Sequence, residues 1–213
     1  MSKAAHQVKK AVSHNLYLFR HLSRNHVIVS RQFDLQNSQL RQVAEHRPGL
    51  TIRRDLWSPF AVLTGMRSEA TVANIYNQIV TEHEHWRGKK HRFDDPLETV
   101  PDWVWTPPVD VVNKSMALCD ALNDIQPEEL TVALHEDVDT IKPTIWWERH
   151  DYRQAVQNRD KQWPSWLLHE SLKLRNGRFP VDIPGFDLVK HVRTTELGAP
   201  RGRRIRQALR ASL

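Results

Sequence analysis

A single cysteine, Cys119, occurs in the 213 residues. One thiol cannot close a disulfide within the chain, and it excludes a cysteine-based zinc site there. A reducing compartment is the simpler setting. No apolar run approaches the roughly 18–20 residues that cross a bilayer, so no membrane span is expected. No secretory apolar stretch follows Met1 either. The phosphate-loop, dinucleotide and nucleophile-elbow signatures are missing, and so is HExxH. No nucleotide, metal or other cofactor is therefore expected, and no enzymatic activity.

One further absence turns into a positive signal. Residues 1–33 contain no Asp or Glu, yet hold six Lys/Arg: Lys3, Lys9, Lys10, Arg20, Arg24 and Arg31. Residues 173–213 hold ten Lys/Arg against three acids. The intervening stretch has 15 bases and 22 acids, so a modest net charge of +6 conceals two strongly positive ends. Such ends bind phosphate backbones by releasing counterions, without reading sequence.

The C-terminal end is the sharper one, with Arg201, Arg203, Arg204, Arg206 and Arg210 inside ten residues. Arginine presents a planar donor fork that matches phosphate oxygens and also stacks on bases. A solvated basic tail without a specific partner has the same composition. The N-terminal end, with Lys3, Lys9 and Lys10, resembles an organellar presequence, and an uncleaved basic arm would look alike.

The rest of the chain reads as one α+β domain over 16–175, between a basic extension at 1–15 and another at 176–213. Residues 16–33 carry the pattern of a hairpin turning at Ser23–His26. Residues 35–46 carry helical spacing through Leu35, Leu40 and Val43. A third strand is expected within 54–64, with Pro59 at its first residue or on an edge. Ser68 and Glu69 open a helix to about Trp86, with the stripe Val72, Ile75, Tyr76, Ile79, Val80. A long loop with Pro96, Pro101, Pro107, Pro108, Trp103 and Trp105 follows. Further helices are expected at 109–122, 127–134, 151–158 and 164–174, and a strand at 144–148.

Several clusters invite a metal or catalytic reading. His83 and His85 point about 200° apart on a helix, so with Glu84 and His91 they make a poor site. His135, Glu136, Asp137 and Asp139 lack calcium-loop spacing. The neighbouring pairs Asp94–Asp95 and Glu128–Glu129 diverge and do not share an ion unaided. Cys119 lies in the apolar stretch Met116–Cys119 and reads as a small core residue. The eight tryptophans read mainly as core or protein contact. Arg53 and Arg54, followed by Asp55 and Trp57, leave two readings open. They can grip phosphate, or one can pair with Asp55 or stack on Trp57.

Leu16-Tyr-Leu-Phe-Arg-His-Leu, His26-Val-Ile-Val-Ser and Ile52-Arg-Arg-Asp-Leu-Trp-Ser-Pro-Phe-Ala-Val resemble a fungal family named for mitochondrial homologous recombination. Lys142-Pro-Thr-Ile-Trp-Trp-Glu and Gln162-Trp-Pro-Ser-Trp-Leu-Leu-His are similar to its later blocks. The resemblance spans about residues 16–172 and is most specific at Arg53-Arg54-Asp55-Leu56-Trp57. Members also serve in the fungal mitochondrial large ribosomal subunit. The resemblance therefore implies a matrix protein bound to mitochondrial large-subunit rRNA and neighbouring ribosomal proteins, acting as a structural ribosomal component. It also implies an alternative: mitochondrial DNA binding, with ATP-independent homologous pairing or a part in transcription. No catalytic residue is carried over. The expected nucleic-acid contacts are Lys3, Lys9, Lys10, Arg53, Arg54, Arg201, Arg203, Arg204, Arg206 and Arg210.

Overall fold

The computed structural model describes residues 14–24, 26–43, 51–87, 106–125, 142–188 and 191, with side chains of the 69–87 helix described as far as 81. The first two strands are β1 (His14–His21) and β2 (Val27–Ser30). They pair antiparallel, and the His21 N–H donates to the His26 carbonyl at 2.9 Å to close the turn. On its other side β1 pairs with β3 (Trp57–Met66), which pairs with β4 (Thr144–Trp147), both antiparallel. The fifth strand, β5 (Leu168–Ser171), joins β4 in parallel, giving the order β2-β1-β3-β4-β5. A separate hairpin is formed by β6 (Lys173–Arg175) and β7 (Phe179–Val181). The α+β class holds.

Alternation along β1 divides the molecule. Leu16 and Leu18 face a layer of helices, whereas Tyr17 and Phe19 face an aromatic layer on the opposite side. The helices are α1 (Glu69–Arg87), α2 (Val109–Asn123) and α3 (His150–Gln157). Ser68 caps α1, its hydroxyl accepting the Thr71 N–H at 3.2 Å. Val72, Ile75 and Ile79 of the expected stripe are buried against the sheet. The buried Lys114 of α2 donates Nζ to the Ile79 carbonyl at 2.6 Å, which ties α2 to α1. Covered on both faces, β3 is buried along its whole length, as a central strand requires.

Pro59 departs from expectation. It is the third residue of the central strand, neither first in the strand nor at an edge. The register against β1 slips there, Leu18 opposing Ala61 and Phe19 opposing Pro59. This bulge removes the need for a ladder N–H at Pro59, and it lets consecutive Phe60 and Ala61 both enter the helix-side core.

The other differences have tertiary causes. Over 35–46, the described part holds a short 3-10 helix at Asn37–Gln42. Leu35, Leu40 and Val43 are buried beneath it as the spacing implies. The stretch 164–174 contains a turn and then β5 and β6 in place of a helix. Backbone donors of Leu168 and Leu172 go to the carbonyls of Pro143 and Trp147, at 3.0 and 2.7 Å. The open edge of β4 thus outweighs local helical spacing. Packing also continues past residue 175, since Ile183 and Phe186 join the aromatic layer. The helix expected at 127–134 and the loop tryptophans Trp103 and Trp105 lie outside the described residues.

Arg20 and Glu148 lock β1 to the chain leaving β4. Arg20 donates from Nε and Nη2 to both carboxylate oxygens, each at 2.7 Å. Tyr152 adds a 3.4 Å hydrogen bond to the same carboxylate. Burial, reinforced by the Glu148 charge, pushes the Tyr152 phenol up to about 12, so it stays a donor at neutral pH.

Candidate nucleic-acid interface

Three loops meet at the end of the sheet where β1 finishes and β3 begins. The β1–β2 turn brings Arg24, which lies close enough to His21 to help hold that imidazole below its ordinary pKa, after the larger effect of burial. A single 3-10 turn at Arg54–Leu56 brings Arg53 and Arg54. It is held to the first loop by the Leu22 N–H donating to the Leu56 carbonyl at 2.9 Å. The β6–β7 hairpin brings Arg175 and Arg178. Its tip is pinned to β3 by the Ser58 hydroxyl, which donates to the Gly177 carbonyl at 3.0 Å.

The hairpin forms for a local reason. Asn176 and Gly177 take φ of 55° and 65°, the left-handed pair that a tight hairpin needs and that Asn-Gly supplies. The Arg178 N–H closes the turn onto the Arg175 carbonyl at 3.2 Å. Leu174 then faces the aromatic layer, and Lys173 and Arg175 face solvent. Asn-Gly between two short apolar runs was the available signal for this hairpin, and the basic extension drawn from residue 176 passes over it.

Arg53 and Arg54 have different partners. Arg53 grips Asp55 from Nε at 3.3 Å and Nη2 at 2.6 Å, with both side chains largely exposed. That hydrogen-bonded pairing holds the Asp55 carboxyl below its usual range, and the charge of Arg178 adds to it. Arg54 donates Nε to the Leu35 carbonyl at 3.0 Å while remaining exposed. Its stem is fixed and its guanidinium is presented at the surface. Trp57 is buried and meets the His21 ring edge-on at 5.1 Å. Arg24, Arg53, Arg54, Arg175 and Arg178 thus share one end of the domain, where Asp55 pairs with Arg53. Lys3, Lys9, Lys10, Arg201, Arg203, Arg204, Arg206 and Arg210 lie outside the described residues.

The remaining candidates are structural where they are described. Cys119 is fully buried, its thiol donates to the Gln162 carbonyl at 3.3 Å, and burial pushes it up to about 11. Trp147 is fully buried, Trp146 donates Nε1 to the Thr64 hydroxyl at 2.9 Å, and Trp163 and Trp166 pack on the helix-side core. Among the described residues no group of three or more His, Cys, Asp or Glu is placed to hold a metal ion. The His83–His85, His91, Asp94–Asp95, Glu128–Glu129 and His135–Asp139 groups fall outside the described side chains. Among the described residues no helix is long and apolar enough to cross a membrane.

His169 of β5 carries a pH dependence. Its Nδ1 accepts the Trp147 Nε1–H at 3.0 Å. Burial, with smaller contributions from Arg153 and His150, pushes its pKa down to about 4, against about 6.5 in an unfolded chain. Between these values the unfolded state binds more protons. The stability contributed by neutral His169 is therefore complete above about pH 6.5 and is lost as pH falls toward 4. Urea midpoints measured from pH 7 to pH 4.5 should fall, and His169→Asn, which keeps an acceptor and removes the titration, should flatten the slope. An unchanged slope would assign the acid sensitivity to other groups.

Residues 13–88 match the Mhr1 family, described as transcriptional regulation of mitochondrial recombination. No curated protein matches the chain. The match takes in β1, β2, β3, α1 and three of the clustered arginines, Arg24, Arg53 and Arg54, whereas β4, β5 and the hairpin lie beyond it. The blocks from Leu16 to Val62 that carry the resemblance lie within this matched segment, and over residues 13–88 the chain is similar to the family described as transcriptional regulation of mitochondrial recombination.

Proposed function

We propose that the protein is a mitochondrial nucleic-acid-binding factor that acts on mitochondrial DNA in recombination and its transcriptional control. It holds strands electrostatically and uses no nucleotide cofactor. The observation that carries this reading is the convergence of Arg24, Arg53, Arg54, Arg175 and Arg178 at one end of the domain, three of them within the family segment. The two basic ends of the sequence add charge of the same sign. Neither strand holding nor backbone neutralisation requires a catalytic residue, and the protein is proposed to be a binding factor rather than an enzyme.

Each phosphate contact contributes about 0.7 to the salt slope of single-strand binding. Replacing Arg53, Arg54, Arg175 and Arg178 by Gln should therefore lower that slope by roughly 2–3 units and weaken binding at low salt, with the far-ultraviolet circular dichroism unchanged. The same measurement on a chain with Arg201, Arg203, Arg204, Arg206 and Arg210 replaced reports the share of the C-terminal end. If neither variant changes the slope, the electrostatic reading fails.

A second reading is favoured by the charge layout, in which two basic ends flank an acidic middle. In it the protein is a structural component of the mitochondrial large ribosomal subunit. Its ends would lie along rRNA, and its globular domain would lie against neighbouring ribosomal proteins. Sedimentation of mitochondrial lysate separates the two. Salt-resistant co-migration with the large subunit supports the ribosomal reading, and a slow nucleoid-associated pool supports the DNA reading.

A further inference from the structure

A second feature lies at the opposite end of β1 from the arginines. A cavity of about 740 Å³ opens beside the edge strand β2, between the loop after Ser30, the start of α1 and the residues Gly185, Phe186 and His191. Its size falls within the usual range of small-molecule sites, about 300–1,000 Å³. Aromatic, amide and charged groups line it, the charged ones being Arg31, which pairs with Glu69 at 3.5 Å, and Asp34, which pairs with His191 at 3.4 Å. Phe33, Phe186 and His191 form an aromatic wall, with Phe186 and His191 stacked at 4.8 Å and 5° and Phe33 edge-on to Phe186 at 4.7 Å. Gln32, Gln36 and Gln39 add side-chain amides to the rim. Aromatic faces with amides at their margin are what an unstacked base requires, a π-surface and donor–acceptor pairs for its edge.

The cavity is connected to the arginine cluster. Phe33 also meets Phe179 of the hairpin at 5.9 Å, and the Arg178 guanidinium lies 5.7 Å from the Phe179 ring centre. The Leu35 carbonyl that anchors Arg54 belongs to the same loop that lines the cavity. Strand β1 spans about 23 Å from His21 to His14 at the usual rise, the length of a few extended nucleotides. His14 and His191 both line the cavity.

We propose that this cavity receives a single unstacked base of a single-stranded nucleic acid whose backbone runs across the arginine end of the domain. The proposal deepens the strand-holding reading and rests on it. Base–aromatic stacking is worth about 1–3 kcal/mol per base, so base removal should weaken binding by roughly 5- to 150-fold.

The test is a titration of the full chain with fluorescently labelled 12-mers, one intact and a set with a single abasic position walked along the strand. One position should bind at least about fivefold more weakly than the intact strand. A 2-aminopurine at that position should change its fluorescence on binding. Phe186→Leu keeps an apolar side chain and removes the ring, and it should abolish the difference while leaving the abasic strand's affinity unchanged. Equal affinity for intact and all abasic strands, with normal salt dependence, would overturn the base pocket and leave the electrostatic reading standing. Failure to bind any strand would sink both. DNA and RNA 12-mers run in parallel show which sugar the track prefers.

Discussion

Gly65→Ala should destabilise the protein by about 3–5 kcal/mol, measured as the shift of the urea unfolding transition followed by far-ultraviolet circular dichroism. Two separate costs add at this position. Gly65 has φ +80°, a region that side-chain-bearing residues occupy at a cost on the order of 1–2 kcal/mol. An added Cβ would also stand 2.4 Å from the Lys142 carbonyl oxygen and 3.0 Å from the Pro143 Cα. Both neighbours are backbone at the entry to β4, so relief means moving that strand away from β3. The Thr64–Thr144 pair and the parallel seating of β5 would move with it.

The hairpin supplies the control. Gly177 has a similar φ of 65°, and a Cβ there meets nothing within 4 Å. Gly177→Ala should therefore cost only the conformational share, about 1–2 kcal/mol. The difference between the two variants isolates the steric part. Equal effects would show that β4 yields freely and that the close approach is not restrictive.

Trp147→Ala is expected to cost a similar amount, about 3–5 kcal/mol. Trp147 is fully buried, meets Trp163 edge-on at 5.5 Å, lies parallel to His169 and donates to it. Truncation removes one of the largest fully buried side chains among the described residues and leaves His169 Nδ1 without its donor. Trp147→Phe keeps most of the volume and loses only the hydrogen bond and part of the packing, so it should cost about 1–2 kcal/mol. If the alanine variant does not fold, the phenylalanine variant still reads the site, through its shifted midpoint and its altered acid sensitivity at His169. A neutral Trp147→Phe would show that the His169 acceptor is satisfied in another way.

Much of the architecture was legible from local pattern. Alternating apolar and aromatic residues mark β1 and β2, helical spacing marks α1 and α2, and Ser68 marks where α1 starts. These elements bury a face that the sequence repeats at a fixed period, so each announces itself. The arginine-aspartate block was legible as a candidate, and its pairing reading holds for Arg53, which is held by Asp55, whereas Arg54 is anchored by a distant carbonyl.

The tertiary structure decided the rest, because the deciding partners lie far away in sequence. The stretch 164–174 has apolar spacing compatible with a helix, yet β4 offers unpaired carbonyls at Pro143 and Trp147, and strand pairing takes it. Pro59 is tolerated in a central strand only because a bulge against β1 removes the donor requirement. Composition alone established that the chain carries two basic ends with an acidic stretch between them. Which described arginines share a surface depended on a turn, a 3-10 segment and a hairpin meeting at one end of the sheet. Those contacts join residues more than a hundred positions apart, as Ser58 and Gly177 show, and no local spacing encodes them.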